Sequence, residues 1–237
     1  MRLDKYLTEE GYFESRNRAH DAIKGGKVTV DGKKAKASAK IDENSVVEVI
    51  DEKFYVSRAG RKLDSFLSEY TIDFKELSAL DIGSSTGGFA QIVLEKGVAS
   101  LVCVDVGRDQ LHISLRGKEK LSLYEETDIR DFQSNEAFEL ITCDVSFISI
   151  LQITDAIDKL AKSGTDIVIL YKPQFEVGKD VKRDSRGVVQ DIDAIARKKE
   201  AFEAEVQTLG WGLQHQALSK VAGKEGNQEY LFHFVKN

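Results

Sequence analysis

The chain has 237 residues, 41% of them hydrophobic and 31% charged, with a net charge of −6, which suits one α/β core plus a small additional domain. Its longest apolar runs, such as 101–104 and 167–171, are strand-sized, and Met1 begins a charged amphipathic segment, so neither a membrane span nor a signal peptide is read. Cys103 and Cys143 lie in apolar runs and, with four scattered histidines, offer neither a disulfide framework nor metal-ligand spacing, as expected of a cytoplasmic protein without a metal.

At the N-terminus, Leu3, Tyr6 and Leu7 recur at helical spacing, Gly11 ends that helix, and Ser15 caps a second whose apolar stripe is Ala19, Ala22 and Ile23. Gly25-Gly26 stops the second helix. Residues 28–30 and 46–49 then read as short paired strands, with Asp31-Gly32 as the hairpin signal. The unit is basic against an acidic remainder: residues 1–62 hold 14 Lys or Arg against 11 Asp or Glu. Within 16–40 stand Arg16, Arg18, Lys24, Lys27, Lys33, Lys34, Lys36 and Lys40 against only Asp21 and Asp31, a patch that suits phosphates.

A linker is expected over 51–56, and the remainder alternates helix and strand periods. Leu63, Phe66, Leu67 and Tyr70 line one face of a helix, followed by strands at 78–82, 101–105, 121–124, 138–143, 165–170, 212–219 and 229–235. Helices are expected near 88–96, 109–116, 149–162 and 191–209. The expected fold is α/β, a Rossmann-like seven-stranded sheet whose last strand, reached without an intervening helix, is antiparallel.

The most informative segment is Ser78-Ala-Leu-Asp-Ile-Gly-Ser-Ser-Thr-Gly-Gly-Phe89, a strand running through a glycine turn into a helix, with Asp105 ending the next apolar run. Glycines 83, 87 and 88 permit a sharp turn against a ligand, and Asp105 suits a ribose diol. The dinucleotide pattern fails because Ser85 replaces its second glycine, and the P-loop fails because Phe89 replaces its lysine. Gly83-Ser-Ser-Thr-Gly87 does match the nucleophile elbow, making Ser85 with His215 or His233 a rival reading; no downstream histidine stands in a recognisable loop with an acid before it.

Two resemblances bear on function. Arg2-Leu-Asp-Lys-Tyr-Leu, Ser15-Arg-Asn-Arg-Ala19 and Gly26-Lys-Val-Thr-Val-Asp-Gly32 resemble the RNA-binding domain named after small-subunit ribosomal protein four, spanning 1–50. That resemblance implies RNA contacts from Arg2, Arg16, Arg18, Lys24, Lys27, Lys33, Lys34 and Lys36. The strand order of 57–237 resembles S-adenosylmethionine-dependent methyltransferases. It implies a cofactor site built from Asp81, Gly83, Ser84, Ser85, Thr86, Gly87, Gly88, Asp105, Val106, Asp128, Ile129 and Asp144, with Asp105 at the ribose and Asp128 at the adenine.

No Pro-Cys pair or Asn-Pro-Pro-Tyr motif is present to methylate a base. Instead Lys62, Asp144, Lys172 and Glu229 resemble, in order, the Lys-Asp-Lys-Glu tetrad of FtsJ-type ribose 2′-O-methyltransferases. Together with Ser57-Arg-Ala-Gly-Arg-Lys-Leu63 and Lys172-Pro-Gln-Phe-Glu-Val-Gly-Lys179 they make the whole chain resemble the TlyA family, historically called haemolysins. The resemblance implies transfer of a methyl group from S-adenosyl-L-methionine to a cytidine 2′-oxygen in ribosomal RNA. Lys172 would be the base or orienting group, Asp144 would position it, and Lys62 and Glu229 would complete the set. Lys179, Lys182 and Arg183 in the loop after the fifth strand are expected near the RNA. The chain looks like the family's shorter form, acting on the large subunit as a monomer. The alternatives are a membrane-active haemolysin and an RNA-binding protein with an inactive methyltransferase fold.

Overall fold

A computed structural model describes the chain except residues 11, 14, 43, 51, 52 and 224, so the helix stop expected at Gly11 and the start of the expected linker lie outside the described residues. Two compact units are present, Met1–Phe54 and Tyr55–Asn237. Tyr55 and Val56 belong to the second unit: the Tyr55 hydroxyl donates to Asp64 at 2.6 Å, and the Val56 amide donates to Gln91 Oε1 at 2.8 Å.

The first unit contains α1 (Leu3–Glu9), α2 (Arg16–Lys24), β1 (Val28–Val30), β2 (Lys33–Lys34) and β3 (Val47–Val49). Ser15 caps α2 by accepting from the Arg18 amide. Leu3, Leu7, Ala19, Ala22, Ile23, Val28 and Ile41 form its core. The sheet order is β2-β1-β3: the expected pairing of 28–30 with 46–49 is present as β1 with β3, but the tight Asp31-Gly32 turn returns the chain at once as the additional strand β2 on the opposite edge of β1.

The second unit opens with α3 (Arg58–Glu69), then β4 (Ser78–Ile82), α4 (Gly88–Glu95), β5 (Ser100–Val104), β6 (Leu121–Tyr124) and β7 (Phe138–Cys143). It continues with α5 (Thr154–Leu160), β8 (Ala161–Tyr171), α6 (Pro173–Glu176), α7 (Ile192–Thr208), β9 (Trp211–Leu218) and β10 (Tyr230–Lys236). The strands lie in the order β6-β5-β4-β7-β8-β10-β9, and β10 runs antiparallel to both its neighbours. Apolar runs such as Ile167–Leu170 are continuous because both faces are covered: Ile167 and Ile169 pack with Phe202 and Phe232, Val168 and Leu170 with Leu63 and Phe89. The order reverses beside β4, and the carboxyl ends of β4, β5, β7 and β8 open there, which is where ligands bind in such sheets.

Two expected helices differ. Residues 109–116 form turns, because Asp109 takes a positive φ of 54°, Gln110 accepts from Ser85, and the Arg116 side chain folds back onto the Leu111 carbonyl. The helix expected over 149–162 is a 3-10 turn at Ile150–Gln152 followed by α5, its start fixed by Glu176, which accepts from Ser149 Oγ and the Ile150 amide.

Candidate active site

The turn after β4 begins at Gly83, where φ is +74° and a Cβ would stand 2.8 Å from the Asp144 carbonyl. Gly88 lies against Ser57 and Gly60, letting the start of α3 meet the start of α4 and setting Lys62 over the turn. Asp105, just past β5, holds the far side: one carboxylate oxygen accepts from the Ser85 amide at 2.7 Å, the other from the Gly107 amide at 2.6 Å. A cavity of about 300 Å³ opens between these strand ends, lined by Asp105, Val106, Asp128, Ile129, Asp144 and Phe147 among others. Asp128 stands at its edge with both oxygens bonded to Arg130, which holds its carboxyl below the usual range.

Two residues from the same motif are placed apart from the ligand space. Gly87 lines neither cavity and caps α4, while Asp81 is wholly buried beneath the turn, accepting from Thr142 Oγ1 at 2.6 Å. Burial raises the Asp81 carboxyl to about 7 despite the Thr142 hydrogen bond, and the nearby Asp144 adds to the rise. The folded protein therefore binds this proton more tightly than the unfolded chain, where the value is 3.8, and stability falls as pH rises from about 4 to 7. The slope is up to roughly 1.4 kcal/mol per pH unit. Urea unfolding of wild type and Asp81→Asn from pH 4 to 8 is expected to show that slope in wild type and a flatter profile in the variant; parallel profiles would refute it.

A second cavity of about 560 Å³ shares Gly83, Ser85, Asp144, Ser146 and Phe147 with the first, and Ser84 and Thr86 line it as well. The four tetrad residues all line it, as two ion pairs. Lys62 meets Glu229 at 2.5 Å, with side chains 8% and 3% exposed, and Lys172 meets Asp144 at 2.5 Å, with side chains 10% and 15% exposed. The second contact is ionic and lies off the direction of a hydrogen bond; Lys172 Nζ donates instead to Ser146 Oγ at 2.8 Å. The fold positions these groups by strand ends: Asp144 just beyond β7, Lys172 just beyond β8, Glu229 just before β10. Such pairs resist solvent but contribute little net stability, so their placement at one cavity is better explained by chemistry.

Three further residues of this cavity escaped the sequence reading, although Gln174 lies in the quoted segment 172–179 and Ser146 and Phe147 closely follow Asp144. Phe147 is 92% exposed with φ +68°, lines both cavities, and has its ring 5.2 Å from that of Phe175. An aromatic residue just past a strand-ending aspartate was the available signal. Ser146 is the Lys172 partner, and Gln174 Nε2 donates to Glu229 Oε1 at 3.0 Å. Glu176 holds the Phe147 segment through Ser149 and Ile150, its carboxyl raised by burial.

The elbow reading fails on contacts: Ser85 Oγ donates to Gln110, while His233 pairs with Asp166 and stacks on His215 within β9 and β10. Of the loop cations, Lys179 and Lys182 are exposed, but Arg183 is tied to the carbonyls of Gln174, Gly178 and Gly187. In the first unit Arg2 and Arg16 both clasp the buried Asp4, whose carboxyl they hold well below the usual range. Arg18 lies over the Phe54 ring, and Lys27 is half-buried. Lys24 and Lys36 line a shallow cavity of about 380 Å³ with Arg2 and His20, and Lys33 and Lys34 are exposed on β2.

Comparison with known proteins gives two family matches: a family described as FtsJ-like methyltransferase over residues 55–236 and the S4 domain over residues 1–47. A 23S rRNA (cytidine-2′-O)-methyltransferase TlyA from Campylobacter jejuni is 43% identical, each chain covered in full. A 16S/23S rRNA (cytidine-2′-O)-methyltransferase TlyA from Mycobacterium tuberculosis is 38% identical over 97% of this chain and 88% of its own. A solved structure from Streptococcus thermophilus superposes with a TM-score of 0.74 at 31% identity, covering 100% of this chain and 88% of that one.

Proposed function

The chain belongs to the FtsJ-like methyltransferases, in the TlyA family, and carries an S4 domain; from that membership we propose that it methylates the ribose 2′-oxygen of a cytidine in large-subunit (23S) ribosomal RNA, using S-adenosyl-L-methionine. The observation that carries the chemistry is the pair of buried lysine–carboxylate contacts at one cavity, joined at Gly83 and Asp144 to a second, nucleoside-sized one. The higher identity to the relative named for 23S rRNA alone supports the large subunit.

The residues fit this cofactor. Asp105 offers carboxylate lone pairs at the smaller cavity, Val106 and Ile129 offer apolar wall, and the absent Cβ of Gly83 keeps Asp144 at the passage between the cavities. Bound there, the cofactor supplies a sulfonium methyl, an electrophile that needs no activation by the protein. The acceptor does need help, because a ribose hydroxyl is a poor nucleophile. The Lys172–Asp144 pair orients the 2′-oxygen; Lys172 takes the hydroxyl proton on the lone pair of its amine, and Asp144 and Ser146 hold the ammonium so formed. Lys62, held by Glu229 at the same cavity, supplies a second fixed cation beside the phosphate-bearing acceptor.

Incubation with labelled S-adenosylmethionine and separated ribosomal subunits, followed by mapping, is expected to place a 2′-O-methyl group on a 23S cytidine. Label on a base, or on the small subunit alone, would overturn the proposal. Among the described residues no helix is long and apolar enough to cross a membrane, which gives the membrane-active reading no support.

The exposed cations of the first unit are read as phosphate contacts. Reversing Lys33, Lys34 and Lys36 to Glu is expected to flatten the plot of log affinity for ribosomal RNA against log salt by about two to three units. An unchanged slope would remove this face from the RNA interface.

A further inference from the structure

Gln174 stands two residues beyond Lys172 and touches the other ion pair. Its Nε2 donates to Glu229 Oε1 at 3.0 Å, while Glu229 Oε2 receives Lys62 at 2.5 Å. The opposite amide orientation would press a carbonyl oxygen against a carboxylate, so charge fixes which end faces Glu229. The backbone is held as firmly: Arg183 Nη2 donates to the Gln174 carbonyl at 2.9 Å. Room for the arrangement comes from Gly223, where a Cβ would stand 2.5 Å from Glu229 Oε1. Gln174 Oε1 is buried without a hydrogen-bond partner among the described residues, so the side chain is not held there by its own satisfaction.

Resting on the ribose-methylation reading, we propose that Gln174 is a positioning residue and the fifth member of the set. It keeps the Glu229 carboxylate aligned on Lys62 and joins the Lys62 pair to the chain segment bearing Lys172, at the wall of the larger cavity. Gln174 acts through Glu229 and Lys62.

The test is a pair of near-isosteric variants, read as kcat and KM for each substrate across pH 5 to 9, with melting curves alongside. Gln174→Met removes the donor and is expected to lower kcat about 10- to 100-fold, the range for losing a partner that orients a functional group, with KM for S-adenosylmethionine little changed. Gln174→Glu sets two carboxylates about 3 Å apart, which raises the affinity of the pair for one proton. While that proton is bound, the introduced carboxyl group donates as the amide did, so activity is expected to approach wild type near pH ~5 to 6 and to fall toward the level of Gln174→Met by pH ~8. This limb is absent from wild type and belongs to a single folded protein, so a folding defect in Gln174→Met leaves the test intact. Wild-type kcat in Gln174→Met, or a Gln174→Glu profile parallel to wild type, overturns the role of Gln174 alone. A wild type that methylates no ribosomal RNA overturns the underlying reading instead.

Discussion

Lys172→Met is expected to lower the rate of 2′-O-methyl transfer by about 10²- to 10⁴-fold, the range associated with losing a group that moves or holds a proton in the transition state. Methionine keeps most of the aliphatic stem, so the walls of the larger cavity survive. What is lost is the ammonium that meets Asp144 at 2.5 Å and donates to Ser146 at 2.8 Å. The effect should fall on kcat rather than on KM for S-adenosylmethionine, because Lys172 lines the larger cavity and not the smaller one. Lys172→Arg is not a rescue, since a planar fork cannot reproduce a compact point charge beside Asp144 and Ser146. The other lysine gives the contrast. Lys62 and Glu229 are 6% and 2% exposed, so Lys62→Met leaves a buried carboxylate without its cation and costs about 3–5 kcal/mol of stability as well as activity. Single-turnover methylation and denaturant unfolding separate the two cases. Lys172→Met within tenfold of wild type would remove Lys172 from the chemistry.

What the sequence made legible was whatever short-range pattern encodes. The runs at 78–82, 121–124 and 138–143 coincide with β4, β6 and β7: β4 and β7 are central strands covered on both faces and mostly apolar, while the edge strand β6 alternates and turns Leu121 and Leu123 to the core. Residues 109–116 show where that logic stops: Leu111 and Leu115 are buried as a helical stripe would be, but side-chain ties from Gln110 and Arg116 hold the segment in turns. The site divides the same way. Positions at strand ends can be read from one sequence, so Asp144, Lys172 and Glu229 could be located. Pairing cannot be read, since Lys62 meets a partner 167 residues away. Nor does the residue type of Asp81 reveal that it sits beneath the glycine turn bonded to Thr142, or that of Arg183 that three backbone carbonyls hold it.

Gly83→Ala is expected to cost about 100-fold in activity even where the protein is folded, and the reason ties the turn to the tetrad. An alanine at φ +74° is strained by roughly 1–2 kcal/mol wherever it occurs. Here its Cβ would also stand 2.8 Å from the Asp144 carbonyl oxygen and 3.1 Å from the Asp144 carbonyl carbon, and backbone cannot swing aside as a flexible side chain can. Asp144 must therefore move, carrying with it the ionic contact to Lys172 at the junction of the two cavities. A displacement of about 1 Å at a reacting group is worth about 10²-fold in rate. Gly210→Ala separates strain from displacement, because Gly210 has a comparable φ of +81°, a Cβ there would meet nothing within 4 Å, and the residue lies outside both cavities. Gly210→Ala should lose about the same 1–2 kcal/mol of intrinsic strain and keep its kcat, whereas Gly83→Ala should lose more stability and the hundredfold in rate. Equal kcat losses in the two variants, measured well below both melting temperatures, would mean that backbone strain alone is responsible and that Gly83 does not hold Asp144 in place.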